Sequence, residues 1–282
     1  MKSIEEKYAR LLTSYCLELK EGDKFYLKST TLAEPLVREV YKCAIEAGAI
    51  VEVDLDFAEK NNIFLHTAKE HQLRYVSPLY YNAMDKFDAY LLIRAPFNLK
   101  EDASVPAEAT KIRSEALAAA NRRYFTRIAD RSLKRSLCQY PTQASAQEAG
   151  MSLTEYSDFV YRACKLHLDS PEEGWLKVRA EQQRIVDHLN KCQRVHYKGP
   201  DTDIRFSTKG RTWINSDGRS NMPSGEVFTS PVENSVEGTI RFSFPAIHGG
   251  HEVEQATLWV KKGIIYKWEA SKGKDYLDKI FN

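Results

Sequence analysis

The sequence predicts an α/β fold in two parts: an amino-terminal domain on a parallel sheet, residues 1–198, and a second, β-rich (α+β) domain, residues 199–282. Two patterns lead there. Up to about residue 192, stretches with apolar residues at helical spacing alternate with short apolar runs, as in parallel βα units. From Arg194 onward, short alternating runs are separated by Gly, Asp, Asn and Pro, the texture of antiparallel hairpins. A chain of 282 residues also exceeds the roughly 100–200 residues of one compact domain.

Ser3 with Glu6 forms a capping-box pattern, and Tyr8, Leu11, Leu12, Tyr15 and Cys16 follow at helical spacing. Residues 4–19 therefore read as an amphipathic helix, ended by Glu21-Gly22-Asp23. Residues 25–29 form a strand. Thr31 with Glu34 offers a second capping box, Pro35 fits the first turn, and Leu36, Val37, Val40, Tyr41, Ala44 and Ile45 keep one helix face. Gly48 suits a left-handed C-cap, and residues 50–55 make the next strand. Strand, helix and strand in about thirty residues form a βαβ unit, hence a parallel pair with a right-handed crossover. Residues 90–93 read as a buried strand, 107–130 as a long helix and 133–140 as a further strand. Ser152 with Glu155 caps a helix reaching residue 166, and Ser170-Pro171-Glu172-Glu173 opens a long one ending near Cys192. Strands are then expected at 204–207, 239–244, 256–260 and 264–268, with the domain boundary near Gly199-Pro200.

Forty-one basic against thirty-nine acidic residues give a net charge of +2, no general field for nucleic acid or an anionic membrane. No apolar run approaches the roughly 18–20 residues that span a bilayer. The charged start Met1-Lys2-Ser3-Ile4-Glu5-Glu6-Lys7 is unlike a signal peptide, so a cytoplasmic address is expected. Cysteines 16, 43, 138, 164 and 192 are odd in number and unpaired in spacing, which points to reduced core thiols.

No phosphate-cradling glycine motif, nucleophile elbow or His-Glu-x-x-His occurs. Arg122, Arg123, Arg127, Arg131, Lys134 and Arg135, interleaved with Tyr124 and Phe125, are the one basic cluster. They read as a solvated face, with nucleic-acid binding as the lesser alternative. His248-Gly249-Gly250-His251-Glu252 has metal-ligand residue types, but Gly-Gly marks a turn on which the imidazoles need not converge. His167-Leu168-Asp169 reads as a helix end. Glu226 lies in a dense segment bracketed by Pro223 and Pro231; taken alone it is an ordinary surface carboxylate.

That segment, Pro223-Ser224-Gly225-Glu226-Val227-Phe228-Thr229-Ser230-Pro231 with Gly238 after it, resembles the opening of the catalytic domain of the aminopeptidase T family. Similarity extends through Tyr8-Ala9-Arg10-Leu11-Leu12, Glu34-Pro35-Leu36-Val37-Arg38, Glu46-Ala47-Gly48-Ala49, Trp175 and Asp217-Gly218-Arg219. The resemblance implies a metal-dependent peptidase that releases amino-terminal residues from peptides. It also implies a homodimer and two divalent ions (Zn, Co or Mn), with Glu226 as a metal ligand. Two close cations would polarise the peptide carbonyl and activate a shared water.

After Glu226 the family pattern calls for a Leu-Gly-Glu segment, a Gly-Thr-x-His segment, a tyrosine and a final His-x-Asp, none of which occurs before Asn282, so the resemblance implies that the second domain is incomplete. Gly238-Thr239-Ile240-Arg241 places arginine where a histidine would stand. A catalytic zinc site needs at least three protein ligands plus water. The 282-residue chain is therefore expected to be inactive and to hold no metal tightly, and no catalytic residue is assigned. The alternative is a non-catalytic, self-associating peptide-binding relative.

Overall fold

A computed structural model describes residues 3–248 and 250–281. Met1, Lys2, Gly249 and Asn282, which the terminal and His-Gly-Gly-His readings touch, lie outside the described residues. Ser3 Oγ accepts from the Glu6 amide at 3.1 Å while the Ser3 amide donates to Glu6 at 2.6 Å, so the first capping box opens helix α1 (Ile4–Arg10). The expected α-helix does not continue. Leu11–Cys16 widen into a π-helical segment in which Leu11, Leu12, Thr13, Tyr15 and Cys16 are all buried. That is more of the helix circumference than a 3.6-residue stripe turns inward.

Strand β1 (Lys24–Thr30) leads into a 3-10 turn, Thr31–Ala33, and then α2 (Glu34–Glu46). The second capping box does not form: Ala33 stands at the cap position with no side-chain bond, because the 3-10 turn intervenes. Strand β2 (Ile50–Asp56) completes the βαβ unit. Helices α3 (Lys60–Thr67), α4 (Glu70–Arg74) and α5 (Pro78–Lys86) follow, then β3 (Ala89–Arg94), α6 (Ala107–Ala129), β4 (Lys134–Gln139), α7 (Gln143–Glu148), α8 (Leu153–Ala163) and α9 (Pro171–Leu189). The remainder comprises β5 (Arg194–Gly199), β6 (Thr202–Ser207), β7 (Ile214–Ser216), β8 (Asn221–Met222), β9 (Glu226–Phe228), β10 (Glu237–Arg241), β11 (Ala246–His248), β12 (His251–Val253), β13 (Thr257–Lys261), β14 (Ile264–Glu269) and α10 (Lys274–Phe281). The four expected runs of the second part supply β6, β10, β13 and β14.

Contacts divide the chain into one unit of Met1–Val178 with Asp217–Gly225, and another of Arg179–Ser216 with Glu226–Asn282. The first is built on a parallel sheet ordered β2-β1-β3-β4-β8. One sheet face buries Phe25, Leu27, Leu91 and Ile93 against Tyr8, Leu12, Leu36 and Val40; the other sets Tyr26, Tyr90 and Leu92 against Met84, Tyr124 and Ile128. Among the described residues no helix is long and apolar enough to cross a membrane.

At the edge of this sheet Lys28 faces Asp54 in register, 2.9 Å away, and Asp56 at 3.3 Å, with side-chain exposures of 26%, 29% and 30%. Burial alone would lower the lysine and raise the aspartate. The hydrogen bonds and mutual attraction outweigh it, holding Lys28 above and Asp54 below their ordinary values. Asp54 therefore contributes stability above the ordinary aspartate range that is lost as pH falls through its lowered value. The Lys28 contribution is present below the ordinary lysine range and is lost as pH rises through its raised value. Lys28→Met is expected to cost about 1–3 kcal/mol at neutral pH, between exposed and buried pairs. The loss of stability on acidification should also shrink, as followed by urea unfolding. An acid limb identical to the wild type would refute this assignment.

The second unit centres on an antiparallel sheet ordered β14-β13-β10-β6-β5. Ile240, Leu258 and Trp268 lie side by side across it, and α10 packs there through Phe281, whose ring is 5.1 Å from that of Trp268. The opposite face carries Thr239, Trp259 and Lys267, the ammonium 4.2 Å from the Trp259 ring centre. Gly199-Pro200, where the sequence suggests a boundary, is the turn of the β5–β6 hairpin inside this unit.

Candidate functional site

The segment from residue 214 to 228 contains Glu226 and folds in two pieces. Within the first unit, Asp217-Gly218-Arg219 forms a tight turn: Asp217 is buried and bonded by Arg219 Nε at 3.1 Å. Gly218 has φ +96°, and a Cβ there would come within 2.9 Å of both Trp175 and Met222, so glycine is required twice over. Strand β8 then joins the parallel sheet beside β4, tethered by Arg135, whose Nη1 donates to Ser220 O and Asn221 Oδ1 at 2.9 Å.

Within the second unit, β7 and β9 pair antiparallel with Ser216 opposite Glu226 and Ile214 opposite Phe228. Ile214, Glu226 and Phe228 are exposed, whereas Asn215 turns to α9, donating to Arg179 O at 2.9 Å. The Glu226 carbonyl accepts from Gln182 Nε2 at 2.7 Å. Among the described residues its carboxylate has no hydrogen-bond or ion-pair partner.

Most of the other sequence candidates are engaged elsewhere, while Arg122 and Arg131 stay exposed. Arg127, expected on a solvated face, is buried and donates to Met84 O at 3.1 Å and Ser132 O at 2.8 Å. Arg123 pairs with Asp85 at 2.6 Å, Lys134 with Asp23 at 2.6 Å, and Arg135 Nε bonds Tyr124 Oη at 3.0 Å. His167 and Asp169 are exposed beyond the end of α8, which stops at Ala163 rather than 166. His248 and His251 face one another in the β11–β12 ribbon, and both meet Tyr276. The phenol lies 2.5 Å from His248 Nδ1, and its ring stacks on His251 at 4.5 Å. Glu252 is bonded to Lys272 at 2.7 Å. Asp203 is bonded to His196 at 2.8 Å, which holds its carboxyl below the usual range.

The profile of the thermophilic metalloprotease (M29) family matches residues 1–282. The chain belongs to that family. Aminopeptidase 2 of Geobacillus stearothermophilus is 28% identical over 300 residues, a match covering 98% of this chain and 72% of that relative. Aminopeptidase AmpS of Bacillus subtilis (strain 168) is 30% identical over 132 residues, 43% of this chain and 32% of the relative. The solved structure of wild-type AmpT from Thermus thermophilus shares the fold, with a TM-score of 0.83 at 24% identity over 98% of this chain and 73% of that one. Membership places the chain among metal-dependent peptidases.

The donor set does not fit a two-metal site by itself. Among the described residues no three His, Cys, Asp or Glu side chains converge to hold an ion, and Glu226 stands as one carboxylate on an exposed strand face. Gln182, which the sequence reading passes over, sits on the inward stripe of α9 with Val178 and Val186. An amide among those apolar positions was its only signal.

Proposed function

We propose that this M29 chain takes part in metal-dependent release of amino-terminal residues from peptides, with Glu226 giving one carboxylate to a pair of divalent ions (Zn, Co or Mn). The observation that supports it best is the Pro223–Pro231 segment, which presents Glu226 outward on β9 with its carboxylate unengaged among the described residues, in a chain matched by the family along its whole length. Residues 1–282 on their own are proposed to be inactive, since one carboxylate falls short of three ligands and a water. The same reading has the protein act as a cytoplasmic homodimer on peptides, without a nucleic-acid or membrane partner. The internal bonds of Arg123, Arg127, Lys134 and Arg135 support the exclusion of nucleic acid.

The 282-residue polypeptide, incubated with Zn²⁺, Co²⁺ or Mn²⁺ and desalted, is expected to retain no ion pair and to release no leucine from a leucyl anilide. Two retained ions with chelator-sensitive release would overturn the proposed inactivity. In any longer product of the same gene, release is expected, and Glu226→Ala should reduce it by about 100-fold or more. Undiminished release in that variant would remove Glu226 from the site.

A further inference from the structure

Gln182 is only 7% exposed, and its side-chain amide reaches both strands of the β7–β9 ribbon. Nε2 lies 2.7 Å from Glu226 O, 3.2 Å from Ser216 O and 3.1 Å from Asn215 Oδ1. Asn215 extends the attachment, its Nδ2 donating to Arg179 O at 2.9 Å and Gln183 Oε1 at 3.2 Å. One stretch of helix thereby holds the ribbon by side-chain amides. Gln182 Oε1, in contrast, is buried with no hydrogen-bond partner among the described residues. Burying an unpaired acceptor is unfavourable, so an apolar side chain of equal length would serve better if filling space were the only demand. What glutamine adds at this position is its pair of N–H donors.

We propose that Gln182 is a positioning residue: its amide holds the backbone of β9, so that the Glu226 side chain leaves the ribbon at a fixed point on the face away from α9. It acts on the Glu226 carbonyl and not on the carboxylate. The functional consequence rests on Glu226 being a metal ligand; the structural role does not. Strand alternation agrees, since Val227 and Asn215 are shielded while Glu226, Phe228 and Ile214 are exposed.

Amide hydrogen exchange of the 282-residue chain tests this, each variant being compared with the wild type at the same pH. Gln182→Met keeps the length and removes the donors. Exchange across residues 214–216 and 226–228 should quicken by about 10-fold, the factor for losing one or two net hydrogen bonds, while 237–241 and 257–261 keep their protection. Gln182→Glu sets a carboxylate against three acceptors, which raises its pKa. Below that value its single O–H donates and protection of the ribbon returns; above it protection is lost. Glu226→Ala should leave protection intact, because the carbonyl is still held. Equal acceleration throughout the unit, no acceleration, or a Gln182→Glu profile without acid recovery would each overturn the proposal. No metal or substrate enters the measurement, so its failure is separate from failure of the ligand role.

Discussion

Replacing Gly238 by alanine is expected to unfold the antiparallel sheet of the second unit. Gly238 has φ +123°, and a Cβ there would lie 2.0 Å from Asp203 O and 2.9 Å from Ile204 Cα. Its strand cannot move aside: β10 is bonded to β6 on one edge, with Gly238 opposite Ile204, and to β13 on the other, with Gly238 opposite Val260. Backbone strain of about 1–3 kcal/mol adds to an overpacking cost of similar size. Together these are a large part of the roughly 5–15 kcal/mol that keeps a typical domain folded. Three of the four tryptophans, Trp213, Trp259 and Trp268, lie in this unit, so their fluorescence during urea unfolding reports on it. A midpoint equal to that of the wild type would show that the strand has room the geometry denies.

Trp175→Ala should have the largest effect in the first unit. Trp175 is 1% exposed, heads the fully buried side chains by volume, and donates from Nε1 to Cys164 O at 3.1 Å. Truncation leaves a cavity costing about 3–5 kcal/mol and also orphans that carbonyl. The ring is in addition the surface on which the Gly218 turn rests. The variant should therefore loosen residues 217–222 before the unit melts, seen as earlier proteolytic cleavage there. Trp175→Phe, which keeps most of the volume and loses the donor, should cost about 1–2 kcal/mol. An alanine variant within about 1 kcal/mol of the wild type would mean the pocket collapses onto the gap.

Much of the fold was legible because its signals are local. Ser3 with Glu6 and Ser152 with Glu155 form capping boxes in the structure, each made by neighbours within one turn. The βαβ unit followed from period and length alone. Where a local signal failed, a distant partner or a neighbouring turn had intervened. Thr31 lost its cap to a 3-10 turn, and the periodic run after Arg10 became a π-helical segment with residues buried on nearly every side. Helices α3, α4 and α5 were not anticipated. Arg113 joins two of these segments from α6, donating to Tyr75 O at 2.6 Å and lying 5.4 Å from the Phe64 ring, contacts that no nearby residue announces.

The candidate site divides in the same way. Glu226 could be singled out from its flanking residues, since Pro, Gly and a short β-prone run are written consecutively. That Arg127 is a buried structural cation rather than part of a basic face depended on carbonyls at Met84 and Ser132, the first 43 residues away. That an amide on α9 holds the Glu226 backbone depended on a pairing across 44 residues. Residue order thus specified the βαβ unit, two capped helix starts, four strands of the second sheet, the family and a surface carboxylate at Glu226, all set by period, caps and consecutive motifs. Packing alone settled which charges are buried, where the chain divides into compact units and what anchors β9, because those outcomes arise from groups far apart in sequence competing for the same buried donors, acceptors and space.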